Sequence, residues 1–314
     1  MSRKVLLQLV LPLIGLSVLF WLLAFAPGDK HHQPALLEMS VILRDGDGHV
    51  SAMRKGMEQA AKDLNVELRF LTPAEDNSAV EQVQLLEHEV SGAAPAILLI
   101  PADREALGEA VSAAAGKTTL VTVESDMTAW GADASISMDH QALGEALGKA
   151  ALNGVSFGGT VLLLDSLLGD NGVRERMEAA KALLEEKGRQ VRIYRWTSDS
   201  TAFANILRIE RPKAVIAFEA AALTEMAELS RGEEAFPLLY GCGSTAGIAA
   251  ALEKGRVTAI AAVNVFSAGY LAVEAAAKLA RHESWTGASS VGFSVVRQET
   301  MYSSDNQKLL FPVT

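Results

Sequence analysis

The chain has 314 residues and a formal net charge of −10, with 49% hydrophobic and 21% charged residues. An acidic balance without a basic run excludes charge-driven binding to nucleic acid or anionic lipid, and the apolar content excludes a disordered chain. A single cysteine, Cys242, leaves no intrachain disulfide and no Cys/His cluster for zinc.

The first feature along the chain is an apolar run, Val5–Ala26, preceded by Arg3 and Lys4. About 22 uncharged residues at 1.5 Å each cross a hydrocarbon core of ~30 Å, so a transmembrane helix is expected here. The positive flank leaves the N-terminus inside and the rest of the chain outside. Ala24-Phe25-Ala26 also reads as a signal-peptide cleavage site, although Pro27 is a poor residue to follow a cut. Residues 1–27 are thus read as an anchor, with a cleaved signal as the alternative, and 28–36 as a polar linker. Adjacent His31 and His32 in that linker converge poorly on one metal ion. Without Arg3 and Lys4 the external part carries about −12.

Beyond the linker, short runs rich in Val, Ile and Leu alternate with helical patterns of mostly ten to fifteen residues. Strands are expected at Met39–Leu43, Glu67–Leu71, Ala96–Ile100, Thr119–Val123 and Ser135–Met138. A second set follows at Val161–Leu164, Val191–Tyr194, Ala214–Phe218, Leu238–Tyr240 and Val257–Ala262. Helices are expected over Ser51–Leu64, Val80–Glu89, Arg104–Ala115, Gln141–Leu152 and Arg174–Glu186. Later ones are Thr201–Ile209, Ala221–Leu229, Ala246–Glu253 and Ala268–Ala280. Continuous rather than alternating apolar runs mark parallel strands covered on both faces. Ten such steps exceed one doubly wound sheet, so the fold class is α/β with two Rossmann-like lobes behind an N-terminal transmembrane helix. A (β/α)₈ barrel is the structural alternative, and the lack of a fixed period disfavours a solenoid.

Catalytic signatures are missing. The sequence holds no G-x-S-x-G, no H-E-x-x-H and no P-loop, and His140 and His282 look incidental. Gly241-x-Gly243-x-x-x-Gly247 departs from a dinucleotide loop in spacing and comes late in the chain. No enzyme activity, cofactor or metal is expected.

Several segments, in order, resemble one family. Ser40–Leu71 (SVILRDGDGHVSAMRKGMEQAAKDLNVELRFL) is similar to the first βαβ unit of type I periplasmic binding proteins, the ribose-binding-like group. Ala96–Ala110 (AILLIPADREALGEA) is similar to that family's I-x-L-x-P-x-D-x-x-A-L step, and Gly172–Ala179 (GVRERMEA) to its R-x-R-x-x-G-F helix start. Gly241–Val273 looks like its G-F-D-x-T … G-Y region, and the likeness spans about 38–314. The resemblance implies two lobes, 37–139 with 265–291 and 140–264 with 292–314. They would be joined by crossings near Asp139–Gln141, Val263–Val265 and Gly292–Val296, and would close on a ligand between them. General physics agrees, since open α/β sheets bind ligands beyond the carboxyl ends of their strands.

Carried over residue by residue, the resemblance implies a ligand loop at Arg44–Val50 with Asp45 and Asp47 as acceptors. Where relatives carry stacking aromatics, this chain has His49 and Val50; RDGDG also reads as a plain solvated turn. Glu124 and Asp126 stand for the family's D-R after strand four, without the arginine. Arg174 matches a ligand arginine, or is an exposed partner of Glu178. Glu219 follows strand eight, and Asn264 sits beside a family glutamine. Gly243 replaces the family's aspartate, with Ser244 and Thr245 as hydrogen-bonding substitutes or helix caps. Trp130, Trp196 and Phe266 are candidate cleft aromatics. The expected function is a monomeric extracytoplasmic solute receptor that presents a small polar ligand to an ABC permease with its ATPase. The alternative is a membrane-anchored sensor acting on a kinase-like partner; nucleic acid is not a partner. Carboxylates outnumber cations among these residues, so a neutral polyhydroxyl or cationic ligand is expected over an anion.

Overall fold

The computed structural model describes residues 35–311 except 45–46, 167–170, 198 and 232–235, with the side chains of 47–50 and 200 also outside the description. The apolar run Val5–Ala26 and most of the linker therefore lie outside the described residues. Among the described residues no helix is long and apolar enough to cross a membrane.

The first sheet is built from β1 (Leu37–Ile42), α1 (Asp47–Leu64), β2 (Val66–Leu71), α2 (Ala79–Ser91), β3 (Ala96–Leu99), α3 (Arg104–Ala114), β4 (Thr119–Glu124) and β5 (Ala134–Ser137). Its strands run in the order β2-β1-β3-β4-β5, all parallel. The apolar runs are continuous because both faces are covered. Ile97 and Leu99 join Leu86, Leu107 and Val111 on one side, while Leu98 joins Met57, Val41 and Val121 on the other.

The second sheet follows α4 (His140–Leu152) and comprises β6 (Thr160–Asp165), α5 (Asn171–Glu186), β7 (Gln190–Arg195), α6 (Ser200–Glu210), β8 (Ala214–Ala217), α7 (Ala220–Leu229), β9 (Leu238–Cys242), α8 (Ala246–Glu253) and β10 (Ala259–Val263). The chain then returns to the first sheet as α9 (Val265–Ala280), which packs on α1 and on β3, β4 and β5. A Cβ on Gly56 would sit 2.0 Å from the Phe266 carbonyl oxygen, and one on Gly269 would sit 2.1 Å from that of Met53. Only glycine lets these two helix backbones approach so closely.

The chain ends with β11 (Phe293–Val296) and α10 (Ser304–Leu310), neither of them expected from the sequence. Strand order in the second sheet is β11-β10-β9-β8-β6-β7, with β11 antiparallel to β10. Gly292–Val296, expected as a plain crossing, is thus mostly an edge strand. Just before it, Ser137 and Ser289–Val291 exchange backbone hydrogen bonds, so this stretch runs from the edge of β5 to the edge of β10. Two separate open sheets also dispose of the barrel alternative.

Aspartate and asparagine caps set several helix starts facing the sheet ends. Asp103 accepts from Glu105 N and Ala106 N at the start of α3, and Asp139 accepts from Ala142 N at the start of α4. Three other helices begin earlier than expected: α1 at Asp47, α5 at Asn171 and α9 at Val265.

Candidate ligand site

Besides a groove of about 610 Å³ between α4 and α5, two concavities compete for attention. The larger, about 720 Å³, lies at the amino ends of β1 and β2 around Ser40, Arg69 and Glu89. Its one buried carboxylate, Glu89, already accepts from Ser40 Oγ at 2.5 Å and from Arg69. Among its described residues no buried side-chain polar atom is left unmet, and the place is wrong for an α/β sheet. The smaller, about 200 Å³, lies at the carboxyl ends of the strands, where the two sheets face each other. It is the better site because two of its lining residues, His140 and Asn171, are buried with polar atoms unmet.

The walls of this cavity come from both halves of the molecule. The first sheet supplies Ser125 and Asp126 after β4 and Ser137 at the end of β5, and α3 supplies Arg104. Met138 and His140 come from the segment that leaves β5 for α4, and Asn171, Gly172 and Glu175 from the first turns of α5. Asn171 is only 4% exposed, yet neither its Nδ2 nor its Oδ1 has a hydrogen-bond partner among the described residues. Nearby, His140 is 8% exposed; its Nε2 lies 3.0 Å from the Glu124 carbonyl oxygen while Nδ1 has no partner. Ser166 Oγ, just after β6 and outside the described lining, is a fourth buried atom in this condition. Buried polar groups are almost always hydrogen-bonded, so the exceptions at Asn171 and His140 make this cavity the candidate ligand site.

Behind this wall, Arg44 and Glu124 form a buried ion pair, Nη1 to Oε2 at 3.3 Å, with side chains 6% and 9% exposed. Glu124 holds φ at +70°, a left-handed conformation uncommon for a non-glycine residue. Its carbonyl oxygen accepts from Ser137 Oγ at 2.5 Å as well as meeting His140. Strained backbone held by several bonds beside a cavity is typical of functional sites.

Of the residues singled out from the sequence, Asp126 alone lies in the cavity wall, exposed, where it also accepts from Thr128 N and Oγ1. Glu124 lies directly behind the wall. Asp45 lies outside the described residues, as does the side chain of Asp47, whose backbone opens α1 rather than belonging to a loop. Arg174 is exposed on α5 and is absent from the described lining; the neighbouring Glu175 takes that place. Arg176, two residues on, is the buried arginine of α5, and its Nη1 reaches Met138 Sδ at 3.8 Å and Cys242 Sγ at 3.9 Å. Glu219 is buried at the N-cap of α7 without using its side chain as the cap. Asn264 caps α9, its Oδ1 accepting from Ser267 N at 3.0 Å, and Thr245 caps α8. Trp196 packs in the second-sheet core against Phe203 and donates to Glu225, and Trp130 packs beneath Arg104. His140, read as incidental, is the main residue that the sequence reading missed, together with Asn171.

Comparison with known proteins agrees with this fold. A family profile described as the periplasmic binding protein domain matches residues 40–284. The chain belongs to this family, whose members bind solutes and are not enzymes, and work outside the cytoplasmic membrane. Among solved structures it is similar to an ABC transporter solute-binding protein from Agrobacterium vitis with bound D-fucose, 20% identical with a TM-score of 0.80, covering 87% of this chain and 100% of that one. It is also similar to a carbohydrate transporter solute-binding protein from Agrobacterium radiobacter in complex with D-arabinose, 17% identical with a TM-score of 0.82, covering 88% and 99%. A third is a carbohydrate transporter from Acidothermus cellulolyticus in complex with myo-inositol, 17% identical with a TM-score of 0.77, covering 88% and 98%. No curated protein matches the chain. At these identities the likeness is one of fold.

Proposed function

We propose that the chain is an extracytoplasmic receptor that closes on a small sugar-like solute between its lobes and delivers it to an ABC permease driven by a separate ATPase. The observation that carries this reading is the 200 Å³ cavity between the two sheets, walled by Asn171, with its amide unmet, and by His140, with Nδ1 unmet. A volume below the ~300–1,000 Å³ of drug-sized sites suits a molecule no larger than a monosaccharide. Family membership and the sugars and cyclitol held by the similar structures support the same class. The lobes are those delimited by 37–139 with 265–291 and 140–264 with 292–314, working as a monomer. Val5–Ala26 holds the body at the outer face of the membrane, or directs its export if it is cleaved.

A thermal-shift screen of neutral sugars, polyols, amines and nucleosides tests this. A binder present at 100 times its Kd stabilises by about 2.7 kcal/mol, which raises Tm by roughly 5 °C or more for a body of this size. A flat response across the whole panel overturns the reading. Recovery of the protein in the cytosolic fraction overturns its placement.

A further inference from the structure

Whatever solute the chain carries, we infer that Met138 is a site of reversible oxidation, and that its sulfoxide, held by Arg176, stiffens the first crossing between the lobes. Met138 and Asp139 are all that separates β5 from α4, so a new bond at Met138 acts on the crossing itself. Access is selective. Of the nine methionines, Met39, Met53, Met57, Met127, Met226 and Met301 are buried at 2% exposure or less. Among the described residues that leaves Met138 and Met177, both partly exposed. Of these two, only Met138 lines one of the concavities described above, where a small oxidant can reach it.

The second observation is the donor beside it. Arg176 is 6% exposed, and its Nη1 lies 3.8 Å from Met138 Sδ and 3.9 Å from Cys242 Sγ. Thioether and thiol sulfurs are weak acceptors. A sulfoxide oxygen on Sδ is a far better one, and an S–O bond directed into that gap brings it within hydrogen-bond reach of the charged Nη1. The donor is also fixed in place. A Cβ on Gly144 would lie 2.1 Å from the Arg176 carbonyl oxygen, so α4 and α5 are in backbone contact at this residue. Arg176 is thus anchored to the very helix that Met138 leads into, and a sulfoxide–guanidinium bond would tie the crossing to the second lobe.

The step balances with a peroxide as the oxidant. A sulfur lone pair attacks one peroxide oxygen, and the S–O bond forms as the O–O bond breaks. The departing oxygen takes the proton of the first and leaves as water, so sulfur loses the two electrons that the peroxide gains. Methionine sulfoxide reductases reverse the change, which makes it a switch and not only a lesion. The family works outside the cytoplasmic membrane, in the more oxidising compartment.

The test treats the full chain with hydrogen peroxide and reads peptide masses, hydrogen exchange over Ser137–Leu143 and thermal unfolding, none of which needs a ligand. Met138 and Met177 are expected to be oxidised before the six buried methionines. Exchange of the segment is then expected to slow by roughly fivefold or more, with Tm held or raised, because the new acceptor faces a charged donor. A methionine merely within reach of solvent would give the opposite, faster exchange and a lower Tm, since a sulfoxide disrupts apolar contacts. Met138→Leu is expected to abolish the slowing and Met177→Leu to keep it. Met138→Gln, which puts an amide oxygen on a chain of similar length, is expected to reproduce it without peroxide. Treatment with methionine sulfoxide reductase should restore the original exchange. The inference is overturned if Met138 stays unoxidised while Met177 reacts, or if the slowing survives in Met138→Leu. Unchanged or faster exchange in both the oxidised protein and Met138→Gln overturns it equally. The receptor function stands or falls on ligand binding and is untouched by any of these results.

Discussion

Arg104 of α3 and Glu175 of α5 meet across the cavity, Nη1 to Oε1 at 3.3 Å, so an ion pair joins an element of the first sheet to one of the second at the candidate site. Both side chains keep partial contact with water, 28% and 43% exposed, which limits the pair to about 0.2–1 kcal/mol. On the proposed closure the pair forms as the lobes meet, so its energy is expected to appear in ligand affinity. Arg104→Ala and Glu175→Ala are each expected to raise Kd by roughly two- to fivefold, with the double variant no worse than the weaker single one. Additive losses in a calorimetric double-mutant cycle would show that the pair is not coupled. The effect should fade in about 1 M salt.

The Arg44–Glu124 pair predicts a larger effect on folding. With both side chains buried, Arg44→Met removes a principal countercharge of Glu124, and the expected loss is about 3–5 kcal/mol in urea unfolding. Replacing both partners, Arg44→Met with Glu124→Leu, should recover much of it. An unchanged midpoint for the single variant would mean that water or other groups carry the charge.

Alkaline stability is set in part by three tyrosines. Burial pushes the Tyr240 phenol up, against a smaller opposing pull from Arg297. Tyr270 is raised by burial and by its bond to Asp63, and Tyr302 chiefly by its hydrogen bond to Glu253. In each case the folded chain holds the proton to higher pH than the unfolded one. The contribution is therefore fully present below the ordinary value of about 10 and is lost as pH rises beyond it. Ultraviolet titration of the native protein should show most phenols ionising later than in denaturant. A native curve that overlays the denatured one would contradict this.

Closure is open to small-angle scattering. The radius of gyration is expected to fall when the best neutral probe saturates the protein, because three segments link the sheets and few residues need to bend. Identical profiles at saturation would favour a rigid cleft.

The strands were legible because fully covered parallel strands announce themselves. Ala96–Leu99 and Ala214–Ala217 are apolar throughout, and no helix of that length would stand alone. β11 was not, since Phe-Ser-Val-Val after a Gly/Ser-rich stretch reads as loop until β10 is there to pair with it. The site was legible only to within a helical turn. Asn171-Gly172 and Asp47-Gly48 look like loop because glycine weakens helices, but the first turn has no intrahelical N–H bonds to lose and tolerates them. Reading α5 from Arg174 instead of Asn171 moved attention one turn along, to a residue that is exposed. His140 carried no local signal at all. A histidine after an N-cap aspartate is ordinary, and only the carbonyl of Glu124, brought over from β4, gives it a partner beside the cavity.

The return of α9 to the first sheet has a consequence for synthesis. Residues 37–137 reach the outside of the membrane first, yet the face of β3, β4 and β5 that α9 covers stays bare until residues 265–280 arrive. Three strands would wait with apolar side chains such as Leu98 and Val121 uncovered while the whole second sheet is delivered behind them. The half of the receptor that is made first is therefore finished last. During export the chain has a long interval in which it depends on being kept from aggregation rather than on its own stability.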